Sequence, residues 1–225
     1  MFKIRASAAG QIMASPTANK IPVGALTYAD TWHIEQKYGR RAQVVTDQMQ
    51  KGIVVEEKSI TLLTDVTDVL YQKNKENLSN EWATGTPDIV NNDLVVDIKS
   101  AWDFHSFFKA EGVETKTGLL TGYGWQLMVY MWLTGKKRAT LAYCLVDTPE
   151  DIYLGLEYSA RWKFQGLDEN PEYDKYCAEL RKLHHFDDMP KEDRVRTWSL
   201  DYDEEKIEQL KNRVELIREY LKTKK

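Results

Sequence analysis

Asp88 follows Pro87 at the head of the run DIVNNDLVVDIKS, residues 88–100, and Asp97 and Lys99 stand near its end. Side chains two apart on a strand share a face, so Asp97 and Lys99 point one way and Ile98 points the other, into the core. A turn at Asn91-Asn92-Asp93 folds the run into a hairpin and brings Asp88 beside Asp97. Two carboxylates that close repel unless one is protonated or a cation lies between them. Oxygen-only donors, with the backbone carbonyl of Ile98 as a further one, suit a hard ion, Mg²⁺ or Mn²⁺. Lys99 is then placed to orient or deprotonate a water and to balance the charge of a phosphate. Such a site hydrolyses a phosphodiester. The competing reading of the same residues is a plain Asp–Lys ion pair on an exposed hairpin.

Three other groups bear on the choice. Glu56 ends the stretch Gly52-x-x-x-Glu56 on a helix before the hairpin, where it reads as a third carboxylate for the same metal; Glu57 beside it reads as a solvated charge. Gln126 and Tyr130 are four apart on an otherwise apolar helix, so they share a face and need polar partners if buried. Arg5 and Ser7 open the first helix, where free backbone N–H groups, a hydroxyl and a guanidinium make an anion site, or where Ser7 is simply an N-cap.

The elements that must position these residues follow from periodicity. Ser7 caps a short helix over residues 8–14, and a loop with Pro16 and Pro22 follows. Residues 26–38 form a helix stopped at Gly39. A longer helix spans 42–63, with Val45, Met49, Ile53, Ile60 and Leu63 on one face. Residues 82–90 and 94–99 are strands, 122–133 a helix ending at Gly135, 139–146 a strand, and 195–200 a last strand. Residues 203–222 form an amphipathic helix with Ile207, Leu210, Val214, Ile217 and Leu221 aligned. This order gives a mixed α/β domain, a central mixed β-sheet flanked by helices. A single domain over residues 1–225 is expected, its core at about 1–147 and its remainder a variable C-terminal part. Residues 101–121, with Lys109 and Lys116 among Phe104, Phe107 and Phe108, read either as a DNA-facing element or as a packed loop.

Composition narrows the classes. The net charge of −4 does not describe a chain coated in basic residues for nucleic acid, but a local basic patch sets the binding field, and Lys136-Lys137-Arg138 is one candidate. Cys144 and Cys177 are too few and too far apart for a zinc or iron–sulfur centre and read as reduced thiols. No apolar run approaches 18 residues and the first fifteen residues lack a leader-like stretch, so a cytoplasmic protein with no membrane partner is expected.

The segments IRASAAGQIM, GIVVEE, GTPDIV, DIKS and QLMVY, in that order, resemble the PD-(D/E)XK nuclease superfamily, in the branch of lambda exonuclease and the YqaJ-type phage recombination nucleases, related to the RecB nuclease domain. The resemblance runs from residue 4 to about 146. It implies a restriction-endonuclease-like core. It implies Asp88 and Asp97 as metal-binding acids, with aspartate at a position often held by glutamate in this branch. It implies Lys99 as the catalytic lysine, Glu56 as the helical acid completing the metal site, and Gln126 and Tyr130 as an accessory pair beside the DNA. Ser7, with Arg5, stands where the family contacts a DNA phosphate, which in lambda-type enzymes helps recognise a terminal 5′-phosphate. The implied activity is Mg²⁺-dependent exonucleolysis of double-stranded DNA ends in phage-type recombination or replication, with a single-strand annealing protein as partner and a homo-oligomer, such as a DNA-threading ring, as an expected state. A structure-selective or nicking endonuclease, a DNA-binding module without catalysis, and a non-nuclease scaffold whose acids form salt bridges remain the alternatives.

Overall fold

A computed structural model describes residues 1–14, 20–41, 45–164 and 170–224. Three short strands, β1 (Ile4–Arg5), β2 (Leu78–Ser79) and β3 (Ala83–Gly85), form a small sheet with β3 in the middle. Four more, β4 (Ile89–Val90), β5 (Leu94–Ser100), β6 (Arg138–Cys144) and β7 (Val195–Asp201), form the main sheet in that spatial order. The β5–β6 pair is parallel and the outer pairs are antiparallel, so the sheet is mixed.

The helices are α1 (Ala9–Ile12), α2 (Val23–Tyr38), α3 (Asp47–Thr67), α4 (Phe104–Lys109), α5 (Gly122–Thr134), α6 (Glu150–Arg161), α7 (Pro171–His184) and α8 (Glu204–Lys222). Alternation along β5 assigns its two faces. Val95 packs with Ala139, Leu141 and Leu200 against Leu127, Met128 and Met131 of α5. Val96 and Ile98 pack with Ala142 and Cys144 against Val55, Ile60, Leu62 and Leu63 of α3. α5 is the central helix, buried almost all round from Gly124 to Met131, as its nearly unbroken apolar sequence requires. Ile207, Leu210, Val214 and Ile217 of α8 join the same core as Phe2 and Ile4, so both ends of the chain contribute to it.

Helix ends follow local chemistry. Gly39 and Gly135 stop α2 and α5 in the left-handed region, at φ 62° and 71°, where a side chain would be strained. Thr46, Thr121 and Asp203 cap α3, α5 and α8 by accepting hydrogen bonds from backbone N–H groups of the first turn. Gly10 permits α1 to cross the start of α5, since a Cβ there would come 2.5 Å from the Gly122 Cα.

Several expectations are corrected. The strand expected over 82–90 is two strands in two sheets: the chain leaves the small sheet at Gly85, passes Pro87, which has no N–H for a ladder, and enters the main sheet at Ile89. The apolar face expected for α3 holds only in its C-terminal half. Val45, Met49 and Ile53 are exposed, and the buried face carries Lys51, Val55 and Ser59 instead. Ser7 does not cap a helix: it sits inside a 3-10 turn, Ala6–Ala8, that has no side-chain cap. The expected helix start at residues 42–44 and Pro16 lie outside the described residues. The stretch before residue 195, to which periodicity assigned no element, supplies α6 and α7.

Among the described residues no helix is long and apolar enough to cross a membrane. Cys144 is buried and Cys177 half-buried, and both are free thiols. Lys136 donates to the Asn92 carbonyl at 3.0 Å and Lys137 lies 4.1 Å above the Tyr202 ring, so both basic side chains have partners within the fold.

Candidate active site

The register Ile89↔Val96 continues one step to set Asp88 beside Asp97. Asp88 accepts a 2.7 Å hydrogen bond from the Ile98 N–H, which fixes its carboxylate at the end of β5. Asp97 is buried, and Lys99 lies on its Oδ2 at 2.6 Å. The two share a strand face, as alternation requires. From α5, the Gln126 Nε2 donates to Asp97 Oδ1 at 3.3 Å and to the Tyr130 hydroxyl at 3.0 Å. The i, i+4 pair on an apolar helix is thus satisfied by a carboxylate of the sheet. Gly85 makes room for Tyr130, because a Cβ there would lie 2.7 Å from the ring.

The electrostatics follow from this crowding. Burial, and then the Asp97 charge, push the Asp88 carboxyl well above the usual carboxylate range; Lys99 and the Ile98 N–H oppose them. Burial works against the Lys99 charge, but Asp97 and Asp88 outweigh it and hold the ammonium above its ordinary pKa. Burial, helped by Asp97, pushes the Tyr130 hydroxyl up to about 12, so it stays protonated.

The other expected residues divide. Glu56 reaches the same cleft from α3, but its carboxylate is held by Lys73 at 3.0 Å. Ser7 is exposed and lines the cleft. Arg5 turns toward α2, where it meets Glu35 at 3.7 Å. The cleft has a volume of about 630 Å³ and is also lined by Met49 and Ile53, which accounts for the exposed half of α3.

Sequence reasoning missed Trp102, Tyr123 and Tyr143, which line the same cleft. Two of them carried a signal: Tyr123 lies one helical turn before Gln126, and Trp102 follows the D-x-K stretch by three residues. Tyr143 is revealed only by register, as the β6 residue opposite Lys99. Lys73, the partner of Glu56, had no sequence signal.

As donors, Asp88, Asp97 and the Ile98 carbonyl form an all-oxygen set suited to a hard divalent cation, and the burial and the Asp97 charge that raise Asp88 are what such a cation would offset. The donors fit that group. Glu56 is not gathered with them: among the described residues no three His, Cys, Asp or Glu side chains stand close enough to hold an ion.

No family model and no curated protein sequence matches the chain. Solved structures do. A phage-related exonuclease from Haemophilus somnus 129PT superimposes with a TM-score of 0.73 at 22% identity, over 98% of this chain and 93% of that one. An alkaline exonuclease, LHK-Exo from Laribacter hongkongensis, superimposes with a TM-score of 0.64 at 13% identity, over 98% and 88%. The same enzyme in complex with dAMP gives 0.63 at 13%. The chain therefore has the fold of phage-type exonucleases.

Proposed function

We propose that this chain is a Mg²⁺-dependent exodeoxyribonuclease that hydrolyses double-stranded DNA from its ends with 5′→3′ polarity, in phage-type recombination or replication. The observation that carries the reading is the adjacency of Asp88 and Asp97 with Lys99 held on the second of them, Asp88 and Lys99 lining one cleft and Asp97 buried beside them. Exonuclease neighbours, one solved with dAMP, support the activity class.

Charge supports the cation. Glu56 and Asp97 are paired with Lys73 and Lys99, while burial and the Asp97 charge hold Asp88 toward its protonated form, so its full ionisation calls for a further positive charge. Asp88, Asp97 and the Ile98 carbonyl would hold a hard divalent ion, which would supply that charge and the activation of water. Mn²⁺ is expected to substitute.

The chain's own groups then have distinct tasks. Lys99 keeps its proton, so it serves as a charged donor to a phosphate oxygen or to the departing oxygen. Gln126 fixes the Asp97 carboxylate and is itself fixed by Tyr130. The exposed hydroxyl of Ser7 offers a phosphate contact at the mouth. A single-strand annealing protein and further copies of the chain are the proposed partners.

The test is end-labelled linear duplex, with and without a 5′-phosphate, beside a closed circular plasmid, in Mg²⁺ or EDTA. Loss of the linear DNA alone, faster with the 5′-phosphate and absent in EDTA, is expected. Nicking of the circle would reassign the chain as an endonuclease, and binding without cleavage would make it a DNA-binding module.

A further inference from the structure

Two of the three candidate acids carry a lysine, and the two lysines are placed differently. Lys99 shares a strand with Asp97, whereas Lys73 comes from the segment that links α3 to β2. The backbone around Lys73 is fixed by the residues that flank Asp88. Lys73 forms an isolated antiparallel bridge with Ile89. The next residue, Asn74, donates its N–H to the Asp88 carbonyl at 2.7 Å and its Nδ2 to the Pro87 carbonyl at 2.9 Å. The Asn74 Oδ1 also accepts from the Glu76 N–H at 3.1 Å, so the turn is held at both ends of that side chain. From this anchored position the Lys73 ammonium reaches α3 and lies 3.0 Å from Glu56 Oε1, the two side chains being 34% and 23% exposed.

We propose that Lys73 is a positioning residue that withholds the third carboxylate: its ammonium competes with a divalent cation for Glu56 and so sets how tightly the site takes the ion. The inference rests on the metal-dependent reading above and adds the residue that tunes it. Glu56 lines the cleft with Asp88 and Ile98. Its charge reaches Asp88, whose carboxyl is raised first by burial, then by Asp97, and least by Glu56. Yet Glu56 stands apart: among the described residues no three acidic, His or Cys side chains are close enough together to hold an ion. The contact with Lys73 accounts for that separation. A carboxylate cannot give its full charge to an ammonium and to a divalent ion at once, so an ion that recruits Glu56 draws it off Lys73. The Glu56 hydrogen bond, and more weakly Glu57 and Asp88, hold Lys73 above its ordinary pKa, so the competitor stays a cation. Because the pair is partly open to water, the competition is worth a few-fold in affinity and no more. A lysine that served to orient Glu56 toward the ion would behave in the opposite way, since removing a partner that orients a ligand weakens metal binding.

The test is a calorimetric double-mutant cycle. Mn²⁺ is titrated into wild type, Lys73→Met, Glu56→Gln and the double variant, with folding checked by circular dichroism. Lys73→Met keeps the aliphatic stem and is expected to bind Mn²⁺ about threefold more tightly than wild type. Lys73→Gln, a second neutral variant, is expected to reproduce the gain, and Lys73→Arg, which keeps the charge, to match wild type. In the Glu56→Gln background Lys73→Met is expected to change nothing, because the lysine then has no carboxylate to withhold. Unchanged or weaker binding by the neutral variants would overturn the proposal while leaving the metal site intact. A gain that persists in the Glu56→Gln background would also overturn it, since loss of a nearby positive charge would then explain the effect. Absence of Mn²⁺ binding by the wild type would overturn the metal-dependent reading and this inference with it.

Discussion

Lys99 lines the cleft and Lys51 is buried on α3, and burial pulls on both in the same direction. Their outcomes differ because their partners differ. Lys99 has the Asp97 carboxylate at 2.6 Å and Asp88 close by, and its charge is held. Lys51, fully buried on α3, donates to the Trp102 carbonyl at 2.9 Å and lies 5.9 Å from the Phe186 ring, with Asp147 and Asp103 acting through space. Burial wins there, and its pKa falls to about 8. The lysine at the cleft is kept charged by the carboxylates beside it, whereas Lys51 hydrogen-bonds the Trp102 carbonyl. Burial and the neighbouring Asp97 raise Asp88, and a cation would offset both.

The largest expected effect breaks the first half of that contrast. Lys99→Ala is expected to lower single-turnover cleavage by roughly 10²–10⁴-fold while DNA binding and Mn²⁺ binding persist. An equal loss of DNA binding would mean that Lys99 only anchors the substrate.

The second half is sharpened by pH. Between about 8 and 10.5 the folded chain holds Lys51 neutral while the unfolded chain still protonates it, so this residue makes stability rise with pH across that window and stay flat below it. Urea melts of wild type and Lys51→Met at pH 7.5 and 10.5 are expected to show the wild type gaining ~3 kcal/mol relative to the variant. Parallel curves would mean that Lys51 keeps its charge in the fold.

Asp88 has the opposite sign. Its folded pKa is raised, so its contribution is best below the unfolded value of 3.8 and declines as pH rises through the folded one. Asp88→Asn, whose carbonyl still accepts from Ile98, is expected to be more stable than wild type by on the order of 1 kcal/mol at pH 8 in EDTA, no different at pH 3, and inactive. Thermal melts at the two pH values check this. The smallest effect belongs to an ion pair in open water. Lys191→Ala, which removes the 2.6 Å contact to the exposed Asp65, is expected to change stability by less than about 0.5 kcal/mol.

The parts of the molecule that were legible in sequence are those set by short-range rules. Alternation placed Asp97 and Lys99 together and Ile98 away from them, and glycine marked the ends of α2 and α5. The amphipathic stripe of α8 was packed as its spacing required. What failed depended on partners far along the chain. Val45, Met49 and Ile53 have helical spacing, yet Met49 and Ile53 face an open cleft that no local pattern encodes. Arg5 found Glu35, and Glu56 found Lys73, through pairings that spacing cannot reveal. Tyr143 became a site residue only when β6 paired beside β5.

The central claim is that Asp88 and Asp97 hold a divalent cation for which Lys99 and the fold are arranged. Calorimetric titration of Mn²⁺ into wild type and Asp97→Ala, with folding of both checked by circular dichroism, tests it most directly. The account predicts a saturable binding isotherm for the wild type and its loss in the variant, together with loss of DNA cleavage. Identical isotherms, or a variant that cleaves DNA normally, would contradict it.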